Sequence, residues 1–431
     1  MMMTRRSLIA VAVVAASTAS TAIPSYAQQV TLDVLYCFPG FARFHEPVAA
    51  EFMKKHPDIK IQFRAPSPNY DDGHQTILRA AVTRQLPDIF YSGYHLLPEL
   101  ARTLAQRDQI VALDDLMAKE GAEFRKANYA DSLLALSTID KNLYGVPFNA
   151  SNPIVYFNVD LVKKAGIDPA NFPTTFDGVI ALAAKINNPA EGINGIAYDV
   201  HGWPDGWLFE AMITQAGGRL LNDDQTEIAF DTPEGLEAMK TFRRLVTDGG
   251  MQLIDWDQSR QQFGAGKIGI YFASPANLTQ VTGLVGDKFE LRTTKFPIAN
   301  EAKGVIPTGG NAVVTFAKDP AKQKAAWEFI KFVTSPEAQK IVVEMTGYLP
   351  TNLRAPGPGY LGPFYDKNPN YKTPITQIER AGPWGAYPGG NTVRIWRTQR
   401  DIISQVMRGE KTPEAGLAEI VKVTNDMMKG S

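Results

Sequence analysis

The sequence predicts an α/β protein, because strand patterns and helix patterns alternate along most of the chain. Residues 30–37 and 59–63 alternate apolar and polar side chains, which is typical of half-buried strands, and apolar residues at helical spacing follow each of them. The same alternation resumes after residue 143. A chain of 431 residues is also longer than a single hydrophobic core usually serves. We therefore expect two α/β units, the first with a parallel sheet and helices on its faces.

The elements of the first unit are bounded by residues that break secondary structure. They are a strand over 30–37, a helix over 44–55, a strand over 59–63, a helix over 70–85 and a short buried strand at 89–90. Pro39-Gly40 ends the first strand, and Pro57 ends the first helix because proline disfavours the helical conformation of the residue before it. Ligands of such sheets collect beyond the carboxyl ends of the strands, where aromatic residues are frequent in this chain.

The second unit follows the same pattern with clearer helix starts. We expect strands at 143–148, 154–158, 195–198, 268–273 and 313–316, and helices over 175–185, 232–248, 322–333, 401–407 and 413–428. Thr175 is a typical N-cap, and Pro233 suits the first turn of a helix. Residues 355–394 are rich in proline and glycine, so we expect ordered loops there.

The first 27 residues have the pattern of an export signal. Arg5 and Arg6 precede an apolar run over residues 8–16, and Ser25-Tyr26-Ala27 fits a cleavage site. The run is too short to span a bilayer. We expect cleavage before Gln28 and a soluble periplasmic protein, since a lipid anchor needs a cysteine at that position. The adjacent arginines leave two export routes open, ordinary secretion and the twin-arginine pathway.

Composition and motifs argue against several classes of function. The formal net charge is −1, so we expect no nucleic-acid partner. Cys37 is the only cysteine, so we expect no internal disulfide, and we interpret Cys37 as a partly buried thiol rather than a nucleophile. The five histidines lack metal-ligand spacing, and the sequence has no Walker loop or nucleophile elbow. We therefore expect no catalytic residue, no cofactor and no metal.

An ordered set of short segments carries a resemblance to a known family. The segments are 147–158 (PFNASNPIVYFN), 164–169 (KAGIDP), 263–277, 308–311 (TGGN), 346–350 (TGYLP) and 409–413 (GEKTP). In this order, and over about residues 30–428, the chain resembles the extracellular solute-binding proteins of bacterial ABC importers, the sugar-type family 1. Within that family it is most similar to the branch that binds glycerol 3-phosphate and glycerophosphodiesters.

The resemblance implies a fold, a division into lobes and a function. The fold is a periplasmic binding protein fold of type II-like form, with two α/β lobes joined by a multi-strand hinge and an interlobe ligand cleft. It implies an N-terminal lobe of 28–145 plus about 301–350, and a C-terminal lobe of about 150–297 plus 355–431. Such a monomer captures a sugar, polyol or substituted glycerol ester and delivers it to an inner-membrane ABC permease. The alternative is a secreted carbohydrate-active enzyme, a hydrolase or lyase with an aromatic cleft.

Two tryptophans are the main candidates for the cleft wall. Trp203 and Trp207 lie in HGWPDGW, where Pro204 and Gly206 predict a loop that presents two indoles to a ligand. The alternative is that both rings belong to the ordinary core. The resemblance adds Tyr70 and Tyr348, each with a ring and a hydroxyl group. Phe38 follows the first strand and would extend the aromatic wall, unless it only packs in the core.

The remaining candidates are polar groups or backbone. Asn149 and Ser151 offer an amide and a hydroxyl at the hinge, or simply satisfy a turn. Ser274 precedes a predicted helix start. The exposed N–H groups of that helix start would bind anionic oxygens, or Ser274 is only the N-cap of the helix. Two further candidates stand where the family branch has other residues: Tyr94 in place of an acidic residue, and Arg394 as the nearest substitute for a phosphate-gripping arginine. Gly309 and Gly310 would let the backbone approach a ligand closely, or form a tight turn.

Overall fold

Two β-sheets, one in each α/β lobe, organise the chain. The computed structural model describes residues 29–203, 205–222, 224 and 226–429. The export signal expected over residues 1–27 lies outside the described residues. Within the described part of the chain, no helix has both the length and the apolar character needed to cross a membrane.

The first sheet has five strands and is only partly parallel. Their spatial order is Ile59–Phe63, Val30–Leu35, Ile89–Gly93, Gly309–Thr315 and Val146–Ser151. The first three strands run parallel, as the alternation of strands and helices predicts. Gly309–Thr315 runs antiparallel to both of its neighbours, so the expectation of a parallel sheet is wrong on that side. The reason is that this strand returns from the second lobe instead of following a local crossover helix.

The second sheet has four strands in the order Leu291–Thr294, Ile154–Asn158, Ile268–Ala273 and Asn194–Tyr198. Only the last two are parallel. Ile154–Asn158 pairs antiparallel with Ile268–Ala273 on one side and with Leu291–Thr294 on the other.

Helices cover the faces of both sheets. The longer ones are Ala42–Lys55, Tyr70–Thr83, Leu97–Ala105, Asp114–Glu120, Ala122–Asn128, Val159–Lys164, Phe176–Ile186, Trp207–Thr214, Pro233–Thr247, Trp256–Gly264, Leu278–Val285, Pro320–Val333, Pro336–Thr346, Gly362–Lys367, Thr392–Arg408 and Pro413–Lys429. Short α-turns lie at Asp131–Leu134 and Thr373–Thr376. Two small two-stranded pairs complete the regular structure, Thr138–Ile139 with Asn142–Leu143, and Ile306–Pro307 with Ala381–Gly382.

The structure departs from the predicted elements in several places. The helix expected at 401–407 extends over Thr392–Arg408, and the strand expected at 313–316 is Gly309–Thr315. The strand expected at 143–148 lies at Val146–Ser151. Residues 355–394 are not only loops, because prolines at the first helical turns begin short helices such as Gly362–Lys367. Trp207 begins a helix and so leaves the predicted loop. Cys37 is fully buried, and burial raises the pKa of its thiol, which disfavours a nucleophilic role.

The chain crosses between the sheets within very few residues. Val146–Ser151 belongs to the first sheet and Ile154–Asn158 to the second, so only Asn152 and Pro153 separate them. The Asn152 side-chain amide donates to the Pro307 carbonyl oxygen at 3.3 Å and thereby ties this crossing to the return strand. The shortness of the crossing keeps the ends of both sheets close together.

Gly310 is the most constrained glycine at this crossing. Its φ is +115°, and a Cβ atom built on it would lie 2.3 Å from the Asn149 carbonyl oxygen. Neither the backbone conformation nor the space suits an L side chain. The pairing of Gly309–Thr315 with Val146–Ser151 therefore depends on glycine at this position.

We predict that Gly310→Ala lowers the free energy of unfolding by about 2 kcal/mol or more, because it adds both backbone strain and a steric clash. Urea titration followed by circular dichroism measures this change. The matched control is Gly283→Ala, at an exposed helical glycine where no heavy atom lies within 4 Å of the added Cβ. The control should be neutral or stabilise by up to about 1 kcal/mol. Equal midpoints for the two variants would contradict the prediction.

Candidate functional site

A cavity lies between the facing ends of the two sheets. It encloses about 350 Å³ and is lined by residues of both lobes. Ser151 and Gly309 contribute from strand ends of the first sheet, and Ser274 follows a strand of the second. The aromatic strand exits that the sequence singled out lead into the same space. The cavity therefore occupies the edge at which α/β sheets usually bind ligands.

Besides Tyr348, the first lobe contributes three aromatic rings to the wall. The ring centroids of Phe38 and Phe41 are 5.2 Å apart, and those of Phe38 and Tyr70 are 5.0 Å apart at nearly right angles. Phe38 has a φ of +67°, which is uncommon for a residue other than glycine. The strained backbone holds its ring at the exit of the first strand, beside the cavity.

The second lobe contributes four tryptophans. The Trp203 ring centroid is 5.5 Å from that of Trp256 and 6.2 Å from that of Trp207. Trp384 lies 6.2 Å from Trp207 and 6.5 Å from Tyr70 of the first lobe. The seven rings thus form a nearly continuous series around the cavity, which we call the aromatic belt: Phe41, Phe38, Tyr70, Trp384, Trp207, Trp203 and Trp256.

Trp207 is held rigidly in the belt. Its indole Nε1–H donates to the Pro307 carbonyl oxygen at 3.0 Å, and its backbone N–H donates to Asp205 Oδ1 at 3.0 Å. A Cβ atom on Gly309 would lie 3.0 Å from the Trp207 ring, so glycine permits this close approach. Because its N–H already has a partner, Trp207 offers a ligand apolar ring surface and no donor.

Two buried donors on the wall have no protein partner among the described residues. They are the side-chain amide Nδ2 of Asn277 and the indole Nε1 of Trp384. Ser274, in contrast, uses its hydroxyl oxygen to accept from the Ala276 N–H at 3.2 Å, which is the capping role the sequence analysis considered. Unpartnered buried donors are uncommon in folded proteins, so these two suit hydrogen bonds to a bound ligand.

Two arginines complete the wall between the ends of the belt. The Arg43 guanidinium lies 5.3 Å from the ring centroid of Phe41, and the Arg260 guanidinium lies 5.1 Å from that of Trp256. Arg43 belongs to the first lobe and Arg260 to the second. Burial and the neighbouring positive charge of Arg260 lower the pKa of Arg43.

A cluster of buried ionisable groups, which we call the inner acid cluster, lies behind the belt, and of its members only Asp205 reaches the cavity wall. Its members are Asp71, His74, His95, Asp205 and Glu210. Burial raises the pKa of Asp71 to about 6 and that of Glu210 to about 8, and it holds the pKa of Asp205 well above its ordinary value. The His95 ring centroid lies 3.4 Å from that of Trp384. The cluster therefore packs directly against the cavity wall.

Most of the residues selected from the sequence lie on the wall of the cavity. These are Phe38, Tyr70, Ser151, Trp203, Trp207, Ser274, Gly309, Gly310 and Tyr348. Tyr94 and Asn149 are buried behind it, where the Tyr94 hydroxyl donates to the Asn149 carbonyl oxygen at 2.9 Å. Arg394 is exposed on the helix Thr392–Arg408 and is not part of the wall.

Seven wall residues that carry an aromatic ring or a charged group were not predicted from the sequence: Phe41, Arg43, Asp205, Trp256, Asp257, Arg260 and Trp384. Trp384 lies in the segment rich in proline and glycine. A large aromatic ring in such a segment is itself a sequence signal for a binding site, and it could have identified Trp384. Trp256 directly follows the helix cap Asp255, which places it at a loop–helix junction. Nothing in the local pattern distinguishes Arg43 or Arg260 from surface arginines.

The part of the chain that the structure describes contains no group of three or more His, Cys, Asp or Glu residues placed to hold a metal ion. The wall offers aromatic rings, hydroxyl and amide groups, the guanidinium groups of Arg43 and Arg260, and the carboxyl groups of Asp205 and Asp257.

Comparison with known proteins gives a consistent family. The sequence profile of the family described as "Bacterial extracellular solute-binding protein" matches residues 38–340. The sn-glycerol-3-phosphate-binding periplasmic protein UgpB of Agrobacterium fabrum is 25% identical over 388 residues, which cover 88% of this chain and 87% of that protein. UgpB of Escherichia coli K12 is 24% identical over 404 residues and covers 89% of each chain.

Solved structures share the fold over nearly the whole chain. UgpB of Mycobacterium tuberculosis, in complex with glycerophosphocholine, has a TM-score of 0.79 at 20% identity, covering 92% of this chain and 98% of that one. A substrate-binding protein of an ABC transporter from Listeria monocytogenes, in complex with cycloalternan, has a TM-score of 0.78 at 20% identity, with 93% and 99% covered. Both are periplasmic binding protein folds of two α/β lobes.

Because the inner acid cluster is buried, we expect the free energy of unfolding to depend on pH, and Asp71 should contribute directly to this dependence. Neither carboxylate oxygen of Asp71 has a hydrogen-bond partner among the described residues. Its charged neighbours are Asp72, His74, Asp205, Arg397 and Arg400. Because burial favours the protonated form, the folded chain keeps its proton up to about pH 6, whereas the unfolded chain loses it near its ordinary value of 3.8. The stabilising contribution is complete below that ordinary value and is lost as the pH rises through about 6.

We predict that Asp71→Asn gains stability relative to the wild type as the pH rises from 4 to 7, by roughly 2–3 kcal/mol in total. The amide replaces a carboxyl of the same shape that would otherwise be forced to ionise in a buried place. Guanidinium unfolding of both proteins at several pH values measures the difference. A difference that stays constant across this range would contradict the buried, unpaired state of Asp71.

Proposed function

Because the chain belongs to the bacterial extracellular solute-binding protein family, we propose that it captures a small carbohydrate, polyol or glycerol ester between its two lobes and delivers it to an ABC permease. It is a binding protein of the ABC importer type and not an enzyme, since the family and the relatives compared above are binding proteins. The alternative of a secreted carbohydrate-active enzyme is thereby set aside.

The observation that carries the ligand class is the aromatic belt. Rings from both lobes surround about 350 Å³, which suits a small organic ligand rather than a polymer. Sugars and polyols present C–H faces to such rings and hydroxyl groups to the amide and hydroxyl groups of the wall. The relatives point to the same range, since their names and titles mention sn-glycerol 3-phosphate, glycerophosphocholine and cycloalternan.

The predicted site residues enter this proposal in two roles. The nine on the cavity wall would contact the ligand. Tyr94 and Asn149 would act from behind: the Asn149 side-chain oxygen accepts from the Asn311 N–H at 3.1 Å, and Asn311 in turn donates to the Tyr70 hydroxyl at 2.9 Å. This chain of hydrogen bonds positions the Tyr70 ring. Arg394 has no part in the proposal, because its side chain is exposed outside the cavity.

We propose lobes close to those expected from the sequence. Residues 29–151 and about 309–350 would move as one body, and residues from about 152 to 307 with 355–429 as the other, since Ile306–Pro307 pairs with Ala381–Gly382. Membership of Val146–Ser151 in the first sheet supports a boundary at Asn152–Pro153. Hinge closure about the crossings is the movement that such lobes permit. A change from 1:99 to 99:1 in favour of the closed form needs about 5.5 kcal/mol of differential ligand affinity.

The relatives are periplasmic proteins, and we propose the same location for this chain. Residues 1–27 would act as a cleaved export signal, by ordinary secretion or by the twin-arginine route. We further propose that the mature protein works as a monomer and does not bind nucleic acid, in keeping with its formal net charge of −1.

The direct test is a thermal-shift screen of carbohydrates, polyols and glycerol esters, followed by calorimetry and chemical analysis of the recovered ligand. We expect at least one compound to bind with 1:1 stoichiometry and to raise the melting temperature, because ligands that bind only the folded state stabilise it. The compound should be recovered unchanged. Conversion of a bound compound into a product would overturn the proposal.

We predict that Trp203→Ala weakens binding of the ligand found in that screen at least tenfold, which corresponds to about 1.4 kcal/mol. The substitution removes one ring of the belt, and Trp203 is only partly buried, so the fold should tolerate it. Trp203→Phe is the matched control, since it keeps an aromatic ring and should lose less affinity. An affinity of Trp203→Ala within about threefold of the wild type would mean that this indole does not contact the ligand.

A further inference from the structure

The two arginines of the wall come from different lobes and line the same cavity, and the charge of Arg260 lowers the pKa of Arg43. Arg43 follows the first strand of the first lobe, and Arg260 belongs to the helix Trp256–Gly264 of the second lobe. Each stacks on the ring at one end of the aromatic belt. The belt therefore crosses from one lobe to the other through Tyr70 and Trp384. Its two ends, Phe41 and Trp256, each carry a positively charged guanidinium group.

The charge of Arg43 has no anionic partner among the described residues. Its guanidinium donates three hydrogen bonds, to the carbonyl oxygens of Gly40 (2.9 Å), Met345 (3.2 Å) and Ala276 (3.2 Å). All three acceptors are neutral, so they fix the side chain without compensating its charge. A guanidinium that is held in place and uncompensated on a cavity wall is well prepared to bind an anionic oxygen.

Arg260 is only partly compensated. It forms an ion pair with Asp257, whose side chain is 57% exposed, whereas the Arg260 side chain is 14% exposed. A pair with one solvated partner is weak. The positive end of the pair is thus the buried end, and it lies on the cavity wall.

A buried amide donor lies beside the arginines. Asn277 follows Ala276, the residue whose carbonyl oxygen accepts from Arg43. The Asn277 side chain is 7% exposed, its Nδ2 has no hydrogen-bond partner in the described part of the protein, and it lines the cavity. Three nitrogen groups therefore converge on one end of the cavity without a carboxylate buried among them.

The second carboxyl group of the wall, that of Asp205, is surrounded by other acidic groups instead of arginines. Asp205 accepts from Trp207 and Trp203, and its charged neighbours are Asp71 and Glu210 of the inner acid cluster. Burial and Asp71 favour its neutral form. The cavity is therefore polarised, with positive charge at the arginine end and a carboxyl group that resists ionisation at the other.

We propose that the ligand carries an anionic oxygen group, a phosphate ester or a carboxylate, and that this group binds between Arg43 and Arg260 with the Asn277 amide as a further donor. The proposal rests on the solute-binding function proposed above and narrows its ligand class. Closing the lobes brings two guanidinium groups together, which is unfavourable without an anion and favourable with one. The anionic group thus offsets the repulsion between the two guanidinium groups, at a boundary where the hydrogen bond from Arg43 to the Ala276 carbonyl oxygen already joins the lobes.

The first experiment compares charged and neutral probes by calorimetry. The anionic probes are sn-glycerol 3-phosphate and glucuronate, and their neutral counterparts are glycerol and glucose. We expect at least one anionic probe to bind at least tenfold more tightly than its counterpart, and the phosphate and carboxylate arms identify the group. Arg43→Gln and Arg260→Gln should each lower the affinity for that probe at least 30-fold and for neutral compounds less than threefold.

Two variants separate this role from a structural one. Arg43→Lys keeps the charge and should retain part of the preference for anions, although a lysine cannot reproduce the guanidinium geometry. Arg394→Gln removes an arginine outside the cavity and should leave the preference unchanged. If a neutral sugar binds tightly and Arg43→Gln does not weaken any anionic probe, the anion proposal fails while the solute-binding function stands.

The second experiment does not depend on knowing the ligand. The melting temperature is measured in sodium sulfate and in sodium chloride at equal ionic strength, for the wild type, Arg43→Gln and Arg394→Gln. Sulfate stabilises proteins generally, so only the excess over the variant is informative. We expect the sulfate increment to fall by at least 2 °C in Arg43→Gln and not in Arg394→Gln. Equal increments in all three proteins would overturn the proposal even if no organic probe binds.

Discussion

The contact between Tyr70 of the first lobe and Trp384 of the second is the interaction on which the site depends. It joins the two halves of the aromatic belt, so the cavity has its shape only when the lobes meet in this register. The hinge makes that register reachable, because only two residues separate the strands Val146–Ser151 and Ile154–Asn158. A site divided between two hinged bodies can open and close, and ligand binding is thereby coupled to the conformation that a permease would recognise.

Several features raise the free energy of the closed arrangement of the lobes when no ligand is bound. Among the described residues, Asn277 and Trp384 have buried donors without protein partners, and Arg43 lies near a second positive charge, that of Arg260. The inner acid cluster adds desolvated carboxyl groups from both sides of the boundary. Each of these costs is reduced when the lobes separate or when a suitable ligand fills the cavity. This balance is what a capture-and-release protein requires.

The sequence predicted most strands of the two sheets, several of the helices and much of the cavity wall. Alternation predicted most strands within a few residues, and the HGWPDGW segment identified Trp203 and Trp207, because a local break in helix-forming residues around two large rings is visible in the chain itself. The resemblance supplied Tyr70, Ser151 and Tyr348. The strand Gly309–Thr315 was predicted only as 313–316, and its antiparallel pairing in the first sheet was missed because pairing between distant segments leaves no local pattern. Arg43 and Arg260 were missed for the same reason, because they lie near each other only when the two lobes come together. Arg394 was selected only for its position in the sequence, and it lies outside the cavity.

The central claim is that two lobes close on one ligand, and small-angle X-ray scattering with and without a saturating ligand tests it most directly. The account predicts a smaller radius of gyration when ligand is bound, with no change in molecular mass. Stoichiometric binding that leaves the radius of gyration unchanged would contradict it, because a ligand held between two separable lobes must bring them together.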